Sequence, residues 1–142
     1  MPPNNRMDAA LLDTDILNEV LKQKNRSVVR HASVYLQEHG QFAISALSRY
    51  EIIRGLRDAK ATTQLTRFSV FCQNTIVFPI TDAILNRAAD LWVEAKRAGH
   101  PRSDADLIIA ATALEHRGTL VSANTAHFAW IPGLKLANWR NA

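Results

Sequence analysis

The sequence predicts one three-layer α/β/α domain built around a central parallel β-sheet. Strand-length apolar runs alternate with longer helical stretches along the chain, which is the order expected of a parallel α/β fold. The apolar runs are mostly continuous rather than alternating, as in strands that helices cover on both faces. With 142 residues, 47% of them hydrophobic and 21% charged, the chain is long enough to bury one core.

Strands and helices are predicted in strict succession. The five strands are expected at residues 9–13, 42–45, 75–80, 119–123 and 134–139. The six helices are expected at residues 15–25, 27–39, 48–58, 60–72, 82–98 and 103–117. Gly40, Gly99 and Gly118 follow three of these helices, where a left-handed residue commonly ends a helix. Because no repeat or linker interrupts the order, we expect one domain over residues 7–142 and a flexible tail over residues 1–6.

Composition excludes several classes of protein. No apolar run approaches the length of a membrane span, and the amino-terminal segment lacks the apolar core of a signal peptide. The single cysteine, Cys72, has no partner within the chain, which favours a reducing, cytoplasmic location and excludes a cysteine-rich zinc site. A net charge of +4 is compatible with a polyanionic partner but is weak support for one.

Three carboxylates stand where exposure to solvent does not explain them. Asp13 ends the first predicted strand, Glu51 lies just inside the helix after the second strand, and Asp106 lies at the head of a very apolar helix. Such positions converge on one edge of a parallel sheet, where the ligands of α/β folds gather. A carboxylate at the end of a strand has no obvious structural use, so we predict that Asp13 is functional.

Glu51 and Asp106 also have a purely structural interpretation. The segments SRYE at 48–51 and SDAD at 103–106 match the capping box, in which a serine caps a helix and an acid three residues later reaches back. A cap of this kind contributes about 1 kcal/mol, and the box can also aim the acid at a ligand. Capping and ligation therefore both stay open for these two residues.

Electrostatics indicates what a cluster of these acids would require. Two carboxylates about 4 Å apart repel by roughly 4 kcal/mol at an effective dielectric constant of about 20, which exceeds the contribution of a cap. If the three acids meet, a bound cation must offset this repulsion. Ligand sets made only of oxygen select hard cations, so the sequence predicts Mg²⁺ or Mn²⁺.

Four segments carry a family resemblance, in the order LLDTDIL, ISALSRYEIIRGL, DADLIIAATALEHRGTLVSANTAHF and IPGLKLANW. Together they resemble the PIN-domain ribonucleases, specifically the VapC-type toxins of type II bacterial toxin–antitoxin pairs, from about Met7 to Trp139. The resemblance implies a parallel sheet flanked by helices and an acidic pocket that holds Mg²⁺ or Mn²⁺. It also implies endoribonuclease activity on structured RNA such as transfer RNA or a ribosomal RNA loop, a cognate VapB-type antitoxin, and a homodimer.

The resemblance assigns roles to four positions. Asp13, Glu51 and Asp106 fall on the family's first three acids, and Asn124 falls on a fourth position that is often Asn in these toxins. We expect Asp13 and Asp106 to bind the ion directly, and Glu51 either to bind it or to act as a general base toward the attacking water. We expect Asn124 to hydrogen-bond a water at the site, and the reaction to proceed without a covalent enzyme intermediate.

Residues beside these acids match the family less closely. Thr14 and Asp15 match the Thr and the Asn or Asp that follow the first acid, and are expected to orient the site or cap the first helix. SAN at 122–124 replaces the TNN of many relatives, which alters hydrogen bonding there. His127 replaces a residue that is often acidic, and both contact with substrate and a structural role stay open for it. With Asn at 124, we expect a single metal ion in the absence of substrate.

Seven basic residues are expected near the acidic edge or on adjoining loops: Arg49, Arg54, Arg57, Lys96, Arg97, His100 and Arg102. Each taken singly is explained by a solvated helix face, whereas the group would steer a phosphate backbone with a steep dependence on salt. The tryptophans are expected in the core or at an interface rather than as platforms for bases: Trp92, Trp130 and Trp139.

Two other functions stay open at this point. A haloacid-dehalogenase-type phosphatase would use Asp13 as nucleophile and Asp15 as acid, but Leu17 replaces the Thr or Val of that motif and no well-placed lysine is evident. A non-catalytic binding module would keep the fold only as an antitoxin partner and co-repressor, and the intact set of acids argues against it. The RNA target and the identity of the antitoxin are not encoded in any motif that we recognise.

Overall fold

The computed structural model describes residues 7–141 and confirms the predicted succession of elements. The strands are β1 (Ala10–Leu12), β2 (Ala43–Ser45), β3 (Ile76–Phe78), β4 (Thr119–Val121) and β5 (Leu136–Ala137). The helices are α1 (Thr14–Lys22), α2 (Arg26–His39), α3 (Ala46–Asp58), α4 (Thr62–Gln73), α5 (Asp82–Arg97) and α6 (Asp104–Glu115). A single 3-10 turn at Thr125–His127 was not predicted. The tail predicted at residues 1–6 lies outside the described residues.

All strand pairs are parallel, as predicted. β4 lies between β1 and β5, with Leu11 opposite Leu120 and Val121 opposite Ala137, and β2 pairs separately with β3. Hydrogen bonding therefore divides the strands into a three-stranded and a two-stranded ladder, and β1 packs beside β2 where the two meet. None of the helices within residues 7–141 has the length and apolar character needed to cross a membrane.

The core lies on both faces of the strands, which explains their continuous apolar runs. Leu12 and Val121 pack on one face with apolar side chains of α1, α2, α3 and α4 and with the buried Trp139. Leu11 and Leu120, their neighbours in sequence, pack on the other face with α5 and α6. Successive residues of a strand point to opposite faces, so both must be apolar when both faces are covered. The predicted three-layer arrangement is confirmed.

The end of α6 differs from the prediction. Gly40 and Gly99 adopt positive φ values of 80° and 74° after their helices, as predicted, but Gly118 does not. Arg117 takes the left-handed conformation instead, with φ of 56°. Gly118 is needed for a different reason, because a Cβ atom there would lie 3.3 Å from the carbonyl oxygen of Ala9 at the start of β1.

The predicted cap of α3 is also wrong. The helix begins three residues earlier than the SRYE segment requires, and the Oγ atom of Ser45 accepts a hydrogen bond of 3.0 Å from the amide of Leu47. Ser48 is therefore internal to the helix and fully buried. The capping-box interpretation of Glu51 falls with it, because Ser48 is not the cap.

We expect Gly118→Ala to lower the free energy of unfolding by about 1 kcal/mol or more, because the Ala9 carbonyl that it approaches is held by the Thr119 amide at 2.8 Å. Gly55→Ala is the control, since a Cβ atom there meets nothing within 4 Å, and it should raise the free energy by roughly 0.5–1 kcal/mol. Denaturant unfolding measures both. A Gly118→Ala protein as stable as the unmodified chain would contradict the close approach.

Candidate active site

Asp13 is a buried carboxylate that joins two strand ends and a helix. It follows β1 directly, is only 8% exposed, and is the N-cap of α1. Its Oδ1 atom accepts a hydrogen bond of 2.8 Å from the Thr14 amide, and its Oδ2 atom accepts one of 2.8 Å from the Ser122 hydroxyl. Since Ser122 follows β4, the ends of two neighbouring strands meet at this carboxylate. Asp13 itself, rather than Thr14 or Asp15, caps the first helix.

The electrostatic environment of Asp13 opposes its ionisation. Burial, the largest cause, raises its pKa to about 6, and the charges of Asp15 and, more weakly, Asp106 add to the shift. The hydrogen bonds from Ser122 and Thr14 act in the opposite direction. Burial also raises the pKa of Asp15, and the charge of Asp106 contributes there as well. Asp13, Asp15 and Asp106 therefore share one electrostatic field, as a cluster of acids must.

Glu51 reaches the same place through Thr14. The Thr14 hydroxyl donates a hydrogen bond of 2.8 Å to Glu51 Oε1 and lies 2.9 Å from the hydroxyl of the buried Ser48. Glu51 Oε2 lies 3.7 Å from the guanidinium of Arg54. The residue that follows Asp13 in sequence thus holds the carboxylate of α3 beside the end of β1.

Asp106 and Asn124 meet at His127. Asp106 lies in the first turn of α6, where its amide donates a hydrogen bond of 3.1 Å to the Ser103 hydroxyl, so the predicted serine cap is present. Its Oδ2 atom lies 3.7 Å from Nδ1 of His127. The Asn124 side-chain nitrogen lies 3.0 Å from the same Nδ1 atom. The amide of Asn124 donates a hydrogen bond of 3.0 Å to the Ser122 hydroxyl, which connects this group to Asp13.

Sequence reasoning found the four main positions and missed two connecting residues. Ser122 was noted only as a departure from the TNN of relatives, yet its hydroxyl contacts both Asp13 and the amide of Asn124. His127 was left between two roles, yet it contacts both Asp106 and Asn124. The available signal for Ser122 was a polar residue placed directly after an apolar strand, which is the same signal that identified Asp13.

The donor set suits a hard cation, although it does not form a closed cage. Within residues 7–141 the structure contains no group of three or more His, Cys, Asp or Glu side chains already arranged to hold a metal ion. The mutual effect of Asp13, Asp15 and Asp106 on pKa nevertheless shows negative charge accumulating at one edge. Ionised oxygens in that setting are the ligands that Mg²⁺ and Mn²⁺ accept, and such ions usually keep several waters. The residues therefore fit an open site of this kind.

The basic residues surround the site unevenly. Arg54 approaches Glu51, and the Nε atom of Arg102 donates a hydrogen bond of 3.1 Å to the carbonyl oxygen of His127. The ammonium of Lys96 lies over the ring of Trp92, away from these contacts. Arg140, which sequence reasoning did not single out, lies close enough to lower the pKa of Asp15.

Comparisons with known proteins agree with the geometry. The model of the PIN domain family matches residues 10–133. The chain is 30% identical over 118 residues to ribonuclease VapC1 of Methanocaldococcus jannaschii, covering 83% of this chain and 77% of that protein. It is 30% identical over 125 residues to ribonuclease VapC10 of Mycobacterium tuberculosis, covering 88% and 90% respectively.

Solved structures show the same fold. The VapBC2 complex of Rickettsia felis bound to a promoter DNA fragment matches with a TM-score of 0.81 at 24% identity, over 92% of this chain and 98% of that chain. A toxin–antitoxin complex from Klebsiella pneumoniae matches with a TM-score of 0.70 at 30% identity, over 92% of this chain and 97% of that chain.

We expect Asp13→Asn to stabilise the metal-free protein above pH 6. Because the folded pKa of Asp13, about 6, exceeds the ordinary value of 3.8, the unmodified protein loses stability as pH rises through this window. The variant has no carboxyl to titrate, so its advantage should be small near pH 4 and reach on the order of 1–3 kcal/mol above pH 6.

Thermal unfolding in a chelator between pH 4 and pH 8 measures this difference. Asp58→Asn, at the exposed end of α3, is the control for the loss of one negative charge. A variant that is equally destabilised at every pH would show that the Asp13 carboxylate is a favourable structural group.

Proposed function

The chain belongs to the PIN domain family, and from that premise we propose that it is the metal-dependent endoribonuclease toxin of a toxin–antitoxin pair. The observation that carries the proposal is the meeting of acids from three separate segments, Asp13 after β1, Glu51 in α3 and Asp106 in α6, at one edge of the fold. Relatives of similar length that carry the name ribonuclease support the choice of RNA as substrate. The reaction is hydrolysis of a phosphodiester bond in structured RNA, in the cytoplasm.

Each acid has a role in this proposal that its surroundings support. Asp13 and Asp106 hold Mg²⁺ or Mn²⁺, and the Ser122 hydroxyl fixes the orientation of Asp13. When bound, the cation would lower the pKa of a water molecule and offset negative charge on the reacting phosphate. Glu51, oriented by Thr14, binds the same ion or takes the proton of the attacking water. Asn124 hydrogen-bonds a water at the site.

The cognate antitoxin has a suitable seat on the helices. A groove of about 880 Å³ runs between the α1–α2 and α3–α4 pairs, and its walls include Leu21, Leu36, Leu56 and Phe68. Thr14 and Glu51 line the same groove, so a segment bound there would reach the acids. A mostly apolar groove between helices suits the apolar face of an amphipathic helix or strand. We propose that the antitoxin occupies this groove and blocks the site.

The proposed homodimer has an apolar surface available on α5. Leu85, Trp92 and Val93 are exposed and lie seven and eight residues apart along the helix, so they share one face. Trp92 is therefore on the surface rather than in the core, whereas Trp139 is buried. Exposed apolar side chains grouped in this way favour an interface. Sedimentation of the purified chain measures the oligomeric state.

The phosphatase alternative has less support from the structure. Both carboxylate oxygens of Asp13 already accept hydrogen bonds, from the Thr14 amide and the Ser122 hydroxyl, which makes them poorer nucleophiles. Trapping of a phosphoenzyme on Asp13 would favour the phosphatase. The binding-module alternative would instead gain support if the purified chain cut no RNA with any divalent metal while it bound its antitoxin tightly.

We expect Asp13→Asn, Glu51→Gln and Asp106→Asn each to abolish cleavage of total RNA while the melting temperature stays close to that of the unmodified chain. The amides retain polar groups that can accept the local hydrogen bonds, so the fold should lose less than about 1 kcal/mol. Mn²⁺ at 100 times its dissociation constant should stabilise the unmodified chain by about 2.7 kcal/mol and the Asp13→Asn chain by much less.

Asp104→Asn is the matched control for Asp106→Asn. Asp104 lies in the same first turn of α6 but is exposed, so its substitution removes the same charge near the helix start without touching the proposed site. Its activity should stay near that of the unmodified chain. A large drop in melting temperature with activity preserved in Asp106→Asn would make that acid structural.

We expect Gly55→Gln to weaken binding of the cognate antitoxin by at least about tenfold, which corresponds to 1.4 kcal/mol. Gly55 lines the groove and has open space where a side chain would begin, so glutamine fills the groove without disturbing α3. Asp58→Gln, on the same helix but outside the groove, is the control. Equal affinity for Gly55→Gln and the unmodified chain would exclude the groove as the antitoxin site.

A further inference from the structure

His127 lies in the one place where a side chain with a nitrogen donor faces the acidic site. Its Nδ1 atom lies 3.7 Å from Oδ2 of Asp106 and 3.0 Å from the side-chain nitrogen of Asn124. The amide nitrogen of Asn124 is a donor, so Nδ1 accepts its hydrogen and presents a lone pair toward Asp106. A lone pair directed at a carboxylate oxygen is repelled by it unless something positive stands between them.

The position of the imidazole ring is fixed by its own backbone. The carbonyl oxygen of His127 accepts hydrogen bonds from the Nε atom of Arg102 at 3.1 Å and from the indole nitrogen of Trp130 at 2.8 Å. The amide of His127 donates a hydrogen bond of 3.1 Å to the carbonyl oxygen of Asn124, which closes the 3-10 turn. Three bonds to one residue hold the ring beside Asp106, although the side chain is 49% exposed and open to an incoming ion.

The spacing of the two atoms matches two ligands of one ion. Ligands about 2.1 Å from the same ion lie between about 3 Å and about 4.2 Å apart, depending on the angle between them. The 3.7 Å between Nδ1 of His127 and Oδ2 of Asp106 falls inside that range. An ion between the two atoms would take the place of the Asn124 amide hydrogen at Nδ1, and would remove the repulsion between lone pair and carboxylate.

We propose that His127 is a metal ligand, which binds through Nδ1 together with Asp106 and makes the site favour Mn²⁺ over Mg²⁺. Imidazole nitrogen is a good ligand for transition metals, whereas Mg²⁺ prefers oxygen and waters. A carboxylate at this position would give a site made only of oxygen. This inference rests on the proposed metal-dependent function and specifies the ion.

The experiment measures binding of Mn²⁺ and of Mg²⁺ to the RNA-free chain by titration, together with pulsed electron paramagnetic resonance of the bound Mn²⁺. The unmodified chain should bind Mn²⁺ more tightly and show hyperfine coupling to an imidazole nitrogen. His127→Gln should lose that coupling and bind Mn²⁺ at least about tenfold more weakly, with less than about a threefold change for Mg²⁺. His127→Asp should also lose the coupling, and its preference should shift toward Mg²⁺.

Two controls keep the outcomes separate. His100→Gln removes an exposed imidazole from the loop before α6 and should leave the nitrogen coupling in place. His127→Gln retains the carbonyl oxygen held by Arg102 and Trp130, so its metal-free melting temperature should be unchanged. Equal Mn²⁺ affinity and unchanged coupling in His127→Gln would overturn this inference alone. Failure of the unmodified chain to bind either ion would overturn the proposed function as well.

Discussion

The buried carboxylate of Asp13 is the group on which the rest of the structure depends. It ends β1, caps α1, and receives the hydroxyl of Ser122 from the end of β4. These bonds fix the start of the first helix relative to two neighbouring strands. They do not compensate burial completely, because the pKa of Asp13 stays raised to about 6. The fold therefore keeps a negative group where a positive partner would stabilise it, which is the physical basis of an ion-binding site.

The other functional side chains are tied to this group by hydrogen bonds rather than by proximity in sequence. Thr14, the neighbour of Asp13, holds Glu51, and Ser122, its hydrogen-bond donor, holds the amide of Asn124. Residues separated by more than half of the chain thus converge on one edge. The same edge opens toward the apolar groove between the helix pairs, so inhibition by an antitoxin and catalysis would share residues.

Local patterns predicted most of the fold, because burial on both faces leaves a direct trace in sequence. Leu11 and Leu12 are both apolar since they serve opposite halves of the core. The positions of the acids followed from the rule that strand ends meet. Errors arose where tertiary contacts decide. Ser48 looks like a cap, but contact with Thr14 buries it one turn inside α3. The connecting roles of Ser122 and His127 depend on partners that are distant in sequence.

A crystal soaked in Mn²⁺ and measured at the wavelength where manganese scatters anomalously would test the central claim most directly. The account predicts one strong anomalous peak within ligand distance, about 2.2 Å, of oxygens of both Asp13 and Asp106. A peak elsewhere, or none at a Mn²⁺ concentration that supports RNA cleavage, would contradict it.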